Sequence, residues 1–133
     1  MAKTISILVA RLIFAAVFLM AVSFKFMGMG ATANFIAAAG FPIPLVLAWL
    51  AAIFEVALVL AFLTGAFFSY AAYLAAAYVL FLGLAFHGPS HWSANEAEFG
   101  FFVDHFTFAA GLLYAAVHGP GDKLVLRIPN TGA

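Results

Sequence analysis

The chain has 133 residues, 68% of them hydrophobic and 8% charged, with five basic and five acidic side chains. Soluble domains carry about 25% charged residues, so water is excluded as the main solvent, and the zero net charge excludes an electrostatic footprint for nucleic acid. The absence of cysteine excludes disulfides, thiolate metal sites and a dithiol relay through the chain's own residues.

Four stretches reach the roughly 20 apolar residues that a bilayer span needs: about 5–27, 44–65, 66–87 and 99–118. Backbone polar groups in lipid must be satisfied within the segment, so the spans are helices. The composition therefore predicts an all-α, polytopic membrane protein, a single domain built as an antiparallel bundle of four transmembrane helices with the lipid bilayer as its surroundings.

The first span opens with Lys3 and contains "AVS" (Ala21 to Ser23), which resembles a signal peptide and its cleavage site. Arg11 interrupts the apolar run and Lys25 follows the small residues, so the segment reads as a retained span. The connection "MGMGATANFIAAAGFPIP" is too apolar for an ordinary loop, and "ANFIAAAG" predicts a short interfacial helix stopped by Gly40 and Pro42. The second span, "AWLAAIFEVALVLAFLTG", holds Glu55 near its middle and ends at Thr64-Gly65, which suits a tight hairpin into the third. The loop "HGPSHWSANEAEFG" carries Trp92, an interface anchor by its type. Its "SANE" reads as a capping box opening the fourth helix, which gives Glu96 and Glu98 structural roles.

Lys3, Lys123 and Arg127 flank the outermost spans on one side of an even-numbered bundle, whereas the loop before the fourth span has Glu96 and Glu98 and no Lys or Arg. The positive-inside rule then puts both termini in the cytoplasm.

Depth follows from a rise of about 1.5 Å per residue. With Ile5 and Gly65 taken at one face, Arg11 lies about 9 Å in, Glu55 about 15 Å and Lys25 about 30 Å. Tyr73 comes at about 10 Å and His87 at about 31 Å from the same face, with Asp104 about 7 Å below the other. Two polar layers emerge: Arg11, Glu55 and Tyr73 in one, and Lys25, His87 and Asp104, with His105 beside them, in the other. A lone charge at mid-bilayer costs at least about 2.5–3.5 kcal/mol, which predicts an Arg11–Glu55 pair and a Lys25–Asp104 pair. Asp104, Thr107, Gly111 and His118 form a polar and small stripe expected to face other helices.

Phosphate-binding loops, zinc-protease motifs and nucleophile triads are missing from the sequence. His87, His91 and His105 have no diagnostic metal-ligand spacing, so no metal site is predicted. A b-type haem needs two histidines at similar depth, and the depths of His87 and His105 differ by about 9 Å, so haem is disfavoured. A quinone headgroup fits better. Lys25, His87, Asp104 and His105 supply hydrogen-bond donors and a proton-exchanging group, and 17 Phe supply aromatic surface.

"RLIFAAVFLMAVSFKF" resembles the opening of the DoxX family of bacterial membrane proteins, in which Arg in the first span is followed by Lys fourteen residues later, here Arg11 and Lys25. "AAAGFPIP" is similar to the family's turn before the second span, and "FEVALVLAFLTG" to its Glu-containing span, which puts the family's Glu at Glu55. "AFHGPSHW" places the family's His at His87, and "GLLYAAVHGPGDKLVLR" is similar to the closing helix and its Gly-Pro-Gly tail. The chain departs from the pattern at "AFFSY", where many relatives have a basic residue, and near Arg127, where many have an acidic one. The resemblance implies a four-span protein of the bacterial inner membrane, associated with quinone-linked redox complexes. Expected, then, is a quinone-linked oxidoreductase subunit that works with a partner subunit or a second copy. A non-catalytic anchor or a carrier of a small lipophile or ion are the alternatives.

Overall fold

The computed structural model describes residues 1–128. Five helices follow one another: α1 (Ala2–Met27), α2 (Met29–Ala38), α3 (Pro44–Thr64), α4 (Phe68–His87) and α5 (Ala97–His118), with a single 3-10 turn at Pro89–His91. The described residues contain no strand. Four of the helices, all but α2, are long and apolar enough to cross a membrane. The described residues gather into two compact units, one of residues 1–67 with 120–128, the other of residues 68–119.

In the first unit α1 and α3 run antiparallel: Phe14 and Phe18 midway along α1 meet Phe62 near the end of α3, with ring centres 5.7 and 5.8 Å apart. Phe26 meets Trp49 at the opposite end. The buried stripe of α1 is Arg11, Ala15, Phe18 and Val22, and that of α3 includes Ala48, Ala52, Glu55, Val59 and Phe62. Steps of three and four put each set on one helix face. The remaining faces expose Ile13, Leu19, Met20, Ile53 and Leu60, a surface suited to lipid.

The short helix expected after the first span is α2. It ends at Ala38, and Gly40 follows with a φ of +88°, a left-handed conformation that glycine adopts without steric penalty. Residues 120–128 return to the α3 corner, where the Leu126 N–H donates to the Thr64 carbonyl at 2.7 Å. Gly65, at φ +74°, lies against Val125 and Pro120.

In the second unit α4 and α5 form an antiparallel hairpin. Their backbones approach closely at Gly83, where an added Cβ would lie 2.8 Å from the Cβ of His105. The obstructing atom adjoins the α5 backbone and cannot swing aside. Gly83→Ala should therefore push the helices apart at a cost of about 1–3 kcal/mol, the usual range for overpacking. Thermal unfolding in detergent reads this as a lowered midpoint; an unchanged midpoint would contradict the close approach.

Two expectations for α5 are corrected. The helix starts at Ala97, Glu96 makes no side-chain cap, and the "SANE" box does not form. Asn95, one residue before the N-cap, instead accepts the Ala97 N–H on its Oδ1 at 3.0 Å, a local turn that asparagine makes readily. The buried face of α5 is Ala109, Leu112 and Ala116, whereas Asp104, Thr107 and His118 are exposed. The small alanines, which permit close backbone approach, take the inward positions.

Candidate functional site

Arg11 does not meet Glu55. Its side chain is buried, and its Nη1 donates to the carbonyls of Pro120 and Lys123, both at 3.0 Å. Nη2 donates to Leu63 at 3.2 Å and Leu124 at 2.7 Å. All four terminal N–H groups of the guanidinium are thus used, while the buried Nε has no hydrogen-bond partner among the described residues. The Leu63 carbonyl belongs to the last turn of α3, where helical carbonyls have no intrahelical partner. Carbonyl dipoles, three of them from the returning tail, stand where a counter-ion was expected.

Glu55 pairs with Lys25 instead: Nζ to Oε1 is 2.9 Å, and the side chains are 18% and 2% exposed, lysine first. The reason is register. The Arg11 bond to Leu63 sets the last turn of α3 level with the Arg11 guanidinium rather than with Ile5. From Arg11 to Lys25 is about 21 Å along α1, and from Leu63 to Glu55 about 12 Å along α3. The remainder, on the order of 10 Å, is closed by two side chains that lean toward each other, because side chains tilt toward the N-terminus of their own helix and these helices are antiparallel. Lys25 is therefore committed to Glu55, and Asp104 is exposed on the surface. Tyr73, expected in the layer with Arg11 and Glu55, is 49% exposed.

A second polar group forms at the loop end of the α4–α5 hairpin. His87 closes α4, and its Nδ1 lies 2.6 Å from Oε2 of Glu98 in the first turn of α5. The His87 ring centre is 5.0 Å from that of His105. His105 Nδ1 is 2.7 Å from the Phe101 carbonyl, which can only accept, so Nδ1 carries the proton. The carboxylate of Glu98 fixes Nδ1 of His87 as a donor in the same way, which leaves Nε2 of both neutral rings with the lone pair. Trp92 Nε1 donates to the His87 carbonyl at 2.8 Å, and Phe99 and Phe102 pack on its indole. Phe101 lies beside His87, its ring tilted by 59° with the centres 5.3 Å apart.

Of the expected outer set, the structure brings His87 and His105 together, gives Lys25 to Glu55, and leaves Asp104 exposed. Glu98 is the residue that sequence reasoning missed. The signal was its place in the first turn after a short loop, opposite the last residue of the preceding helix. The rings of the two histidines meet despite an offset of about one turn: His105 packs level with Gly83, four residues before His87, and the side chains lean toward each other from antiparallel helices. The loop 88–96 is compact, and α5 starts two residues early, so its first two turns run alongside the end of α4. No group of three His, Asp or Glu side chains among the described residues is arranged to hold a metal ion.

The DoxX family model matches residues 6–88, a stretch containing Arg11, Lys25, Glu55, Tyr73 and His87 that stops short of Glu98 and His105. No curated protein and no solved structure matches the chain.

Proposed function

The chain belongs to the DoxX family and is a multi-pass membrane protein, and from that premise we propose that it is a quinone-linked subunit of a redox complex. Its lipophile headgroup is held by His87 and His105. The observation that supports this reading is the His87–Glu98 hydrogen bond beside a second imidazole, within an aromatic setting. A quinone headgroup needs donors for its carbonyl oxygens and, on reduction, takes up two electrons and two protons. Nε2 of His87 would face one quinone carbonyl oxygen and, taking up a proton from water, would pass it on as the quinone is reduced, while Glu98 holds the ring by Nδ1. Nε2 of His105 would do the same for the second carbonyl oxygen, with water as the source of both protons. The electrons come from a partner subunit, since none of the chain's own side chains is an electron carrier.

In this reading the protein sits in the bacterial inner membrane with both termini cytoplasmic and the histidines near the outer face. Lys25–Glu55 is architecture. A haem is not favoured, because axial ligands approach an iron from opposite sides, whereas these two rings lie side by side.

Quinone extraction from protein purified gently out of native membranes tests the reading. Near-stoichiometric quinone is expected for the wild type and Asp104→Asn, with a loss of at least tenfold in His87→Gln and His105→Gln. Undiminished quinone in folded histidine variants, or a haem band in the reduced-minus-oxidised spectrum, would overturn it.

A further inference from the structure

We infer that Nε2 of His87 and Nε2 of His105 form a two-imidazole site for a divalent transition-metal ion such as Cu2+ or Zn2+. The inference uses the same side chains as the quinone reading but does not depend on it.

Three features of the second unit support it. Each imidazole has its Nδ1 anchored, His87 on a carboxylate at 2.6 Å and His105 on a backbone carbonyl at 2.7 Å. That is the outer-shell arrangement that orients metal-binding histidines and fixes the tautomer with a lone pair on Nε2. Second, both anchors lie toward the loop end of the hairpin. His105 reaches back one turn to Phe101, and Glu98 is a further turn toward the start of α5. In each ring Nε2 is then the nitrogen left outside these anchors, with no hydrogen-bond partner among the described residues. Third, the spacing fits. Two imidazoles bound to one tetrahedral ion through nitrogen at about 2.1 Å have ring centres roughly 5 Å apart, and the observed separation is 5.0 Å.

The rings are also held in place. The close approach at Gly83 fixes the start of the His105 side chain, and Trp92 ties down the His87 carbonyl. With no third His, Asp or Glu ligand arranged among the described residues, the remaining coordination positions are open to water or to an exogenous oxygen or nitrogen ligand. Imidazole suits copper and zinc among the common divalent ions.

The test is titration of detergent-purified, chelator-treated and quinone-extracted protein with Cu2+, read by electron paramagnetic resonance, and with Zn2+, read by calorimetry. One ion per chain is expected, with a Cu2+ spectrum showing two nitrogen donors. His87→Gln and His105→Gln should each weaken binding at least tenfold. Glu98→Gln, which keeps both imidazoles, should weaken it by roughly 10–100-fold, the range for loss of an outer-shell partner. His91→Gln and His118→Gln, which alter the chain's other histidines, should leave it unchanged. Absence of stoichiometric binding, or binding indifferent to His87→Gln, His105→Gln and Glu98→Gln, would overturn the inference. Metal binding without any quinone binding would sink the quinone reading and spare this one; quinone binding without metal would do the reverse.

Discussion

Lys25→Met should destabilise the protein more than Glu55→Gln, although the two substitutions break the same ion pair. Removing Lys25 leaves Glu55 with a side chain 2% exposed and its ammonium partner gone. Removing one member of a buried pair costs about 3–5 kcal/mol. Removing the charge of Glu55 instead leaves Lys25 18% exposed, on the last turn of α1 and able to carry its ammonium toward the headgroups. The glutamine oxygen still accepts a hydrogen bond, so a loss of about 1–2 kcal/mol is expected. The double variant Lys25→Met with Glu55→Met should recover most of the loss, because replacing both members of a buried pair with apolar side chains of similar size is often neutral or stabilising. Denaturant unfolding in detergent micelles measures all three. A double variant no better than Lys25→Met alone would show that the pair is not an energetic unit.

How much of this was legible in the sequence depends on the kind of information needed. Hydropathy located α1, α3, α4 and α5 to within a few residues at each end, because lipid demands long unbroken apolar runs and little else has that signature. The short helix α2 was legible from its apolar composition and its Gly and Pro stops. Partner choice was not. Pairing Arg11 with Glu55 assumed that the start of α1 and the end of α3 lie flush at one face, whereas the tail and the Leu63 carbonyl occupy Arg11 and shift α3 along α1. Backbone carbonyls leave no trace in side-chain chemistry, so a guanidinium satisfied by them looks unpaired in the sequence. Glu98 was misassigned for a related reason. A carboxylate at a helix start has a sufficient local explanation, and only the compact loop 88–96 brings it to His87. For Asp104, one step of about 100° around α5 separates the exposed position from the half-buried His105, finer than a stripe of small and polar residues can resolve.

Arg11→Met should release the C-terminal segment while leaving the four long helices in place. The segment is held to the first unit by three of the four Arg11 bonds, by the Leu126 N–H on Thr64, and by the contact of Val125 with Gly65. Hydrogen bonds to charged groups contribute about 1.5–3 kcal/mol each, and less when they share one donor group. Losing the guanidinium should therefore cost the docked state about 3 kcal/mol, roughly a hundredfold in the fraction of time the segment is open. Local opening of this kind is read by proteolysis. Lys123 and Arg127 are the trypsin sites within the segment, and the bonds to the carbonyls of Lys123 and Leu124 lie at the first of them. Trypsin should remove the tail of Arg11→Met on the order of a hundred times faster than that of the wild type. Arg11→Lys should fall between, since an ammonium has three N–H donors and no planar fork to span four carbonyls. Leu126→Pro, which deletes the single backbone bond to Thr64, should accelerate cleavage only about tenfold, consistent with about 1.4 kcal/mol. If tail cleavage in Arg11→Met keeps the wild-type rate, the Leu126–Thr64 bond together with the contact of Val125 and Pro120 with Gly65 suffices to hold the segment. The carbonyls would then be there for Arg11, as the means by which a membrane helix carries a buried guanidinium.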